Sequence, residues 1–95
     1  MYLFKYQVNL VDFKDILKIK KISKIKKINL LDFGCGSGSW DEKKIDKEIN
    51  SISLYEKNKD LIPILKKKYS SRKISIEFNQ RKIFKKDINI IVFSS

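Results

Sequence analysis

Five residues of this chain have types and a spacing that can do chemistry. Asp32 precedes Gly34, Gly36 and Gly38 in the stretch LLDFGCGSGSW, which holds every glycine of the chain, and Glu56 stands eighteen residues beyond Gly38. Alternating glycines after an apolar run let a ligand lie close to bare main chain, and a helix start behind such a turn offers unpaired N–H groups to a negative group. A carboxylate beside the turn suits cationic or hydroxyl partners. The phosphate-binding loop GxxxxGK[ST] is excluded, because no Lys-Ser/Thr pair follows Gly38. A dinucleotide fingerprint would use Gly34 and Gly36 and then need glycine at 39, where this chain has Ser39.

The elements that must position these residues follow from pattern. KINLLDFG is a short apolar run ending in glycine, as a buried parallel strand should be, and SWDEKKIDKEI places Trp40, Ile45 and Ile49 at helical spacing with Asp41 and Glu42 in the first turn. SISLYE, residues 51–56, reads as a second strand. NKDLIPILKKKYS reads as a helix with Asp60 at the cap and Pro63 in the first turn. KISIEFNQ and INIIVFSS give a third and a fourth strand, with RKIFKKD between them too short to be assigned a helix. Before the glycines, Ile16, Ile19, Ile22 and Ile25 recur every three residues, a spacing that drifts around a helix. We read a helix over residues 10–20 and leave 21–27 open. The expectation is an α/β chain: a truncated Rossmann-like parallel sheet of about four strands with flanking helices, behind an N-terminal helical extension at residues 1–27.

Composition bounds the function. A chain of 95 residues with 42% hydrophobic residues can build one modest core. Its net charge of +11 comes from twenty Lys but only two Arg, Arg72 and Arg81, and is spread along the whole chain, alongside abundant Ile and Asn and no Ala, Thr or His. Such lysine-dominated charge reads as a coding bias and a solvated surface, and it implies non-specific association with nucleic acid rather than base reading. One cysteine, Cys35, with no histidine, excludes an internal disulfide, a Cys/His zinc site and a Cys–His nucleophile. Cys35 is read as a small, inert loop residue, and Trp40 as core. No apolar stretch approaches membrane-spanning length, so a cytoplasmic chain with no membrane partner is expected.

LLDFGCGSG resembles the first motif of the class I S-adenosylmethionine-dependent methyltransferases: an apolar strand, an acid two residues before the first glycine, then GxGxG. The resemblance covers residues 28–95. It implies that the loop of Gly34, Cys35, Gly36 and Gly38 passes under the methionine part of S-adenosylmethionine. It also implies that Asp32 helps hold the amino group and that Glu56 accepts the ribose hydroxyls. Asn79 lies near the adenine position, where the family usually has an acid, and Ser94 and Ser95, ending the family's fourth strand, face the transferable methyl. The family's sheet continues through three further strands that complete the acceptor pocket. Residues 28–95 are therefore expected to be the cofactor-binding half of a methyltransferase, inactive alone, with the acceptor undefined. An alternative is a non-catalytic α/β module for a nucleotide-like ligand or a partner protein. With no fifth strand beside INIIVFSS, self-association through that strand is also expected.

Overall fold

The apolar run that leads into the glycines forms the middle of a sheet. Leu30 and Leu31 point to opposite faces and each is only 1% exposed, so the strand is buried on both sides and its sequence has no reason to alternate. The computed structural model describes residues 4–7, 13–83 and 87–93. In chain order these form β1 (Phe4–Gln7), α1 (Phe13–Ser23), β2 (Asn29–Phe33), α2 (Glu42–Glu48) and β3 (Ser51–Tyr55). A 3-10 turn (Lys59–Leu61) then leads into α3 (Ile62–Lys68), followed by β4 (Ile74–Glu77), α4 (Gln80–Ile83) and β5 (Ile90–Phe93). The strands form one sheet in the order β1-β5-β2-β3-β4, with every neighbouring pair parallel. The architecture is α/β and Rossmann-like, as the alternation of strands and helices implies.

Two cores lie on the two faces of the sheet. Ile16 and Ile19 of α1, Ile45 of α2, and Ile62 and Leu65 of α3 pack on Leu30, Ile52, Leu54, Ile90 and Val92. On the opposite face Leu31 and Tyr55 meet Ile83 of α4 and Ile88. Each fully buried Ile or Leu contributes about 1.5–3 kcal/mol, so the first face carries most of the stability. The three-residue spacing in α1 has the expected consequence: Ile16 and Ile19 are buried, while Ile22 has rotated into solvent and is 81% exposed.

The structure departs from the sequence reading in four places. Phe4–Gln7, within the segment expected to be a helical extension, is a strand paired in parallel with β5. The outer edge of β5, expected to be bare, is therefore occupied, and self-association through it would have to displace β1. The helix expected over residues 10–20 is α1 at Phe13–Ser23, residues 10–12 lying outside the described residues. It stops where Lys24 takes a left-handed conformation (φ 57°) that turns the chain toward β2. Asn58 caps the 3-10 turn that leads into α3, its side chain accepting from the Asp60 N–H, so Asp60 sits inside that turn, and α3 itself follows Leu61 with no side-chain cap. Finally, Gln80–Ile83 forms one helical turn, started by Asn79 Oδ1 accepting from the Arg81 N–H (2.9 Å). Among the described residues, no helix is long and apolar enough to cross a membrane.

Candidate functional site at the glycine turn

The strand order places the glycine turn where a parallel sheet is open. From β2 the chain proceeds outward to β3 and β4 on one side, then crosses back to lay β5 on the other side of β2. The carboxyl end of β2 is thus the switch point of the sheet, where diverging connections leave a crevice. Asp32, Gly34, Gly36 and Gly38 all lie there.

All three glycines have positive φ (Gly34 85°, Gly36 61°, Gly38 86°), so the turn cannot be built from ordinary L residues without strain. Their surroundings differ. A Cβ on Gly36 would meet nothing within 4 Å. A Cβ on Gly38 would lie 2.8 Å from both Cε2 and Oη of Tyr69 and 3.1 Å from Cδ2 of Leu65. Gly38 is therefore a packing glycine, against which the end of α3 is seated, while Gly36 presents bare backbone to open space.

The turn is held by neighbours far away in sequence. The N–H groups of Gly34 and Cys35 both donate to the Tyr55 carbonyl at the end of β3 (2.9 and 3.1 Å). Next along, Glu56 joins three segments. Its Oε1 accepts from the Gly36 N–H (2.9 Å), its Oε2 accepts from the Asn58 N–H (3.0 Å), and its own N–H donates to Glu77 at the end of β4 (3.0 Å). At 8% exposure this carboxylate is buried but well supplied with donors, which offsets the cost of burying it. On the far side of the turn, the Tyr69 hydroxyl donates to the Trp40 carbonyl (2.9 Å) and the Lys68 ammonium donates to the Gly38 carbonyl. The Glu42 carboxylate receives the N–H groups of Ser70 and Ser71. The turn is clamped between the ends of β3 and α3.

Asp32 is 1% exposed, and its Oδ2 accepts from the Trp40 indole Nε1–H at 2.7 Å. Trp40 is buried, as its reading as core requires, but its position eight residues after the acid also makes it the acid's partner. Cys35 is buried with its thiol pushed up to about 12, first by burial and then by the nearby Asp32 and Glu56 carboxylates. A thiol so far from ionising is no nucleophile at neutral pH.

The structure thus brings Asp32, Gly34, Cys35, Gly36, Gly38 and Glu56 to one place. Asn79 follows β4 and is exposed, with its side chain committed to capping α4. Ser94 and Ser95 lie outside the described residues. The N–H groups of Gly34, Cys35, Gly36 and Gly38 are all bonded within the fold, the last to the Cys35 carbonyl (3.1 Å). Tyr55 and Glu56 reach them because β2 and β3 end in register, Phe33 opposite Tyr55. Sequence reasoning missed Asn58, Lys68 and Tyr69 as supports of the turn, and only Asn58, two residues after the strand-end acid, left a local signal. Among the described residues, no group of three His, Cys, Asp or Glu side chains is placed to hold a metal ion. Comparison of the chain with protein-family models, curated proteins and solved structures gives no match.

Proposed function

We propose that this chain is the S-adenosylmethionine-binding portion of a cytoplasmic class I methyltransferase, which transfers a methyl group to an acceptor held by further elements. The observation that carries the reading is the pairing of Gly36 with Glu56. Gly36 has positive φ and open space where a side chain would stand, and its N–H is held by a buried carboxylate at the switch point of the sheet. A ligand lying on Gly36 therefore has Glu56 at its side. Each carboxylate oxygen of Glu56 accepts one described main-chain bond and has a second lone pair for a hydroxyl, so a ribose diol fits the chemistry of the acid.

The residues fit this cofactor better than a phosphate-bearing one. With four turn amides already bonded, the turn offers little to a phosphate, whereas Asp32 and Glu56 beside it favour a cationic, hydroxylated ligand. In this reading Gly36 lets the methionine portion approach the main chain, Glu56 holds the ribose, and Asp32 supplies negative potential near the ammonium. The cofactor brings an already electrophilic methyl. What the protein contributes is orientation and exclusion of water, and the preformed clamp on the turn serves both.

A second reading is a non-catalytic module for a nucleotide-like ligand. The engagement of Asp32 by Trp40 favours it, because the acid that would receive the ammonium already has an indole partner. Calorimetric titration with S-adenosylhomocysteine tests the first reading, and release of that product from S-adenosylmethionine in the presence of candidate acceptors separates the two.

A further inference from the structure

Spread along the sequence, the lysines are gathered unevenly in space by the fold. In a parallel sheet each connecting helix runs back against its strands, so the ends of α1, α2 and α3 and the links that follow them meet where the strands begin. Hydrogen bonds tie those links together. The Ile28 carbonyl accepts from the Asn50 and Ser51 N–H groups, the Lys73 carbonyl from the Ile52 N–H, and the Lys27 carbonyl from the Asn89 side-chain amide. Exposed cations crowd this end: Lys21 in the last turn of α1, Lys24, Lys26 and Lys27 in the link to β2, Lys47 in the last turn of α2, and Arg72 just before β4. Among the described residues the acids that share it are Asp46, Glu48 and Asp87, and the Asp46 carboxylate is engaged by the Ser71 hydroxyl. At the carboxyl end of the sheet the signs are mixed, with Asp32, Glu56, Asp60 and Glu77 beside Lys57 and Lys59.

From this arrangement we infer that the basic end, where β2, β3 and β4 begin, binds the phosphate backbone of a nucleic acid strand. Three features select this partner. Complementing the helix dipoles accounts for Lys21 and Lys47, but Lys24, Lys26, Lys27 and Arg72 lie beyond the helix ends. The surface among the cations is polar: Asn50 is exposed, and it, Ser51 and Asn89 all bond to Asn29. Of the exposed large apolar side chains only Ile22 stands near it, so a bilayer would find one side chain to receive and a base no aromatic ring to stack on. Finally, the links that carry Lys27 and Arg72 stand two strand spacings, roughly 10 Å, apart, so cations from separate links can meet successive phosphates of one strand. Five of the six cations are lysines, point charges that hold phosphate without reading bases. This end lies a strand length, roughly 16 Å, from the glycine turn, so the inference stands apart from the cofactor reading.

The test is an anisotropy titration of the full chain into a fluorescein-labelled oligouridylate, at about 50 and about 200 mM salt. Two triple variants remove the same net charge at different ends. Lys26→Gln, Lys27→Gln and Arg72→Gln together should weaken binding about tenfold or more at the lower salt. They should also flatten the log–log salt slope by about 2, because a single strand contributes roughly 0.7 per phosphate contact. Lys43→Gln, Lys57→Gln and Lys82→Gln, exposed away from the basic end, should change affinity by no more than about threefold. A measurement on the wild type keeps the test free of any effect on folding: bound oligouridylate should shield Lys24, Lys26 and Lys27 from acetylation and leave Lys43 and Lys57 reactive. No binding by the wild type, equal loss in the two triple variants, or shielding of Lys43 and Lys57 instead would overturn the proposal. So would a polyglutamate of equal length that binds as tightly as the oligouridylate, or phosphatidylserine vesicles that bind more tightly through the same lysines.

Discussion

Gly38→Ala isolates the contact on which the clamp around the glycine turn depends. The new methyl would stand 2.8 Å from Cε2 and Oη of Tyr69 and 3.1 Å from Leu65 Cδ2, in a backbone conformation of φ 86°. The left-handed conformation costs an L residue about 1–2 kcal/mol. Forcing a methyl into a packed site adds about 1–3 kcal/mol, because Tyr69 cannot swing away without releasing its hydroxyl bond to the Trp40 carbonyl. A loss of about 2–5 kcal/mol is expected, a large part of the stability of a small domain. Urea unfolding followed by Trp40 emission measures it, with an unchanged m-value as the sign that stability alone has moved. In a Tyr69→Leu background the ring atoms that meet the methyl are gone, and the cost of Gly38→Ala should fall toward the backbone cost of about 1–2 kcal/mol. Gly36→Ala, with open space around its Cβ, should show only that backbone cost from the start. If Gly38→Ala costs the same with and without the Tyr69 ring, or no more than Gly36→Ala, the packing role of Gly38 is refuted.

Three further outcomes are expected. Trp40→Phe removes the donor from the buried Asp32 carboxylate and should lower unfolding free energy by about 1.5–3 kcal/mol, while Asp32→Asn with Trp40 intact should shift the emission of the chain's one tryptophan. Cys35 should resist iodoacetamide in the native state at neutral pH and react on unfolding. Its thiol is raised from 9.0 to about 12, so its contribution to stability is complete below the lower value and is lost as pH rises through that window, which unfolding at pH 8 and pH 11 checks. Lys24→Gly relieves a left-handed lysine at the end of α1 and should raise the urea midpoint, by about 1 kcal/mol of stability.

Where local pattern carried the information, the sequence was legible. β2, its glycine turn and α2 were readable because an apolar run buried on both faces, three glycines and an Asp-Glu helix start all act within a dozen residues of one another. The drift of Ile16, Ile19 and Ile22 around α1 was readable for the same reason. β1 was not, because a four-residue edge strand is defined by its main-chain pairing to Ile90–Phe93, more than eighty residues away, and not by its own periodicity. The choice of Asn58 over Asp60 as cap turned on a shift of two positions, below what composition resolves. In the site, the position of Glu56 was legible as a strand-end acid, but its bond to the Gly36 N–H depends on β2 and β3 ending together. The Asp32–Trp40 bond and the seat of Tyr69 on Gly38 exist only in three dimensions.

The central claim is that bare backbone at Gly36, with Glu56 beside it, receives S-adenosylmethionine. Calorimetric titration of S-adenosylhomocysteine into the wild-type chain and Gly36→Asn tests it most directly, because asparagine tolerates the φ of 61° while placing a side chain in the open space. The expected result is one-to-one binding by the wild type and at least a tenfold loss, about 1.4 kcal/mol, in a Gly36→Asn variant that keeps its urea midpoint. No binding by the folded wild type, or equal affinity in the two, would contradict it.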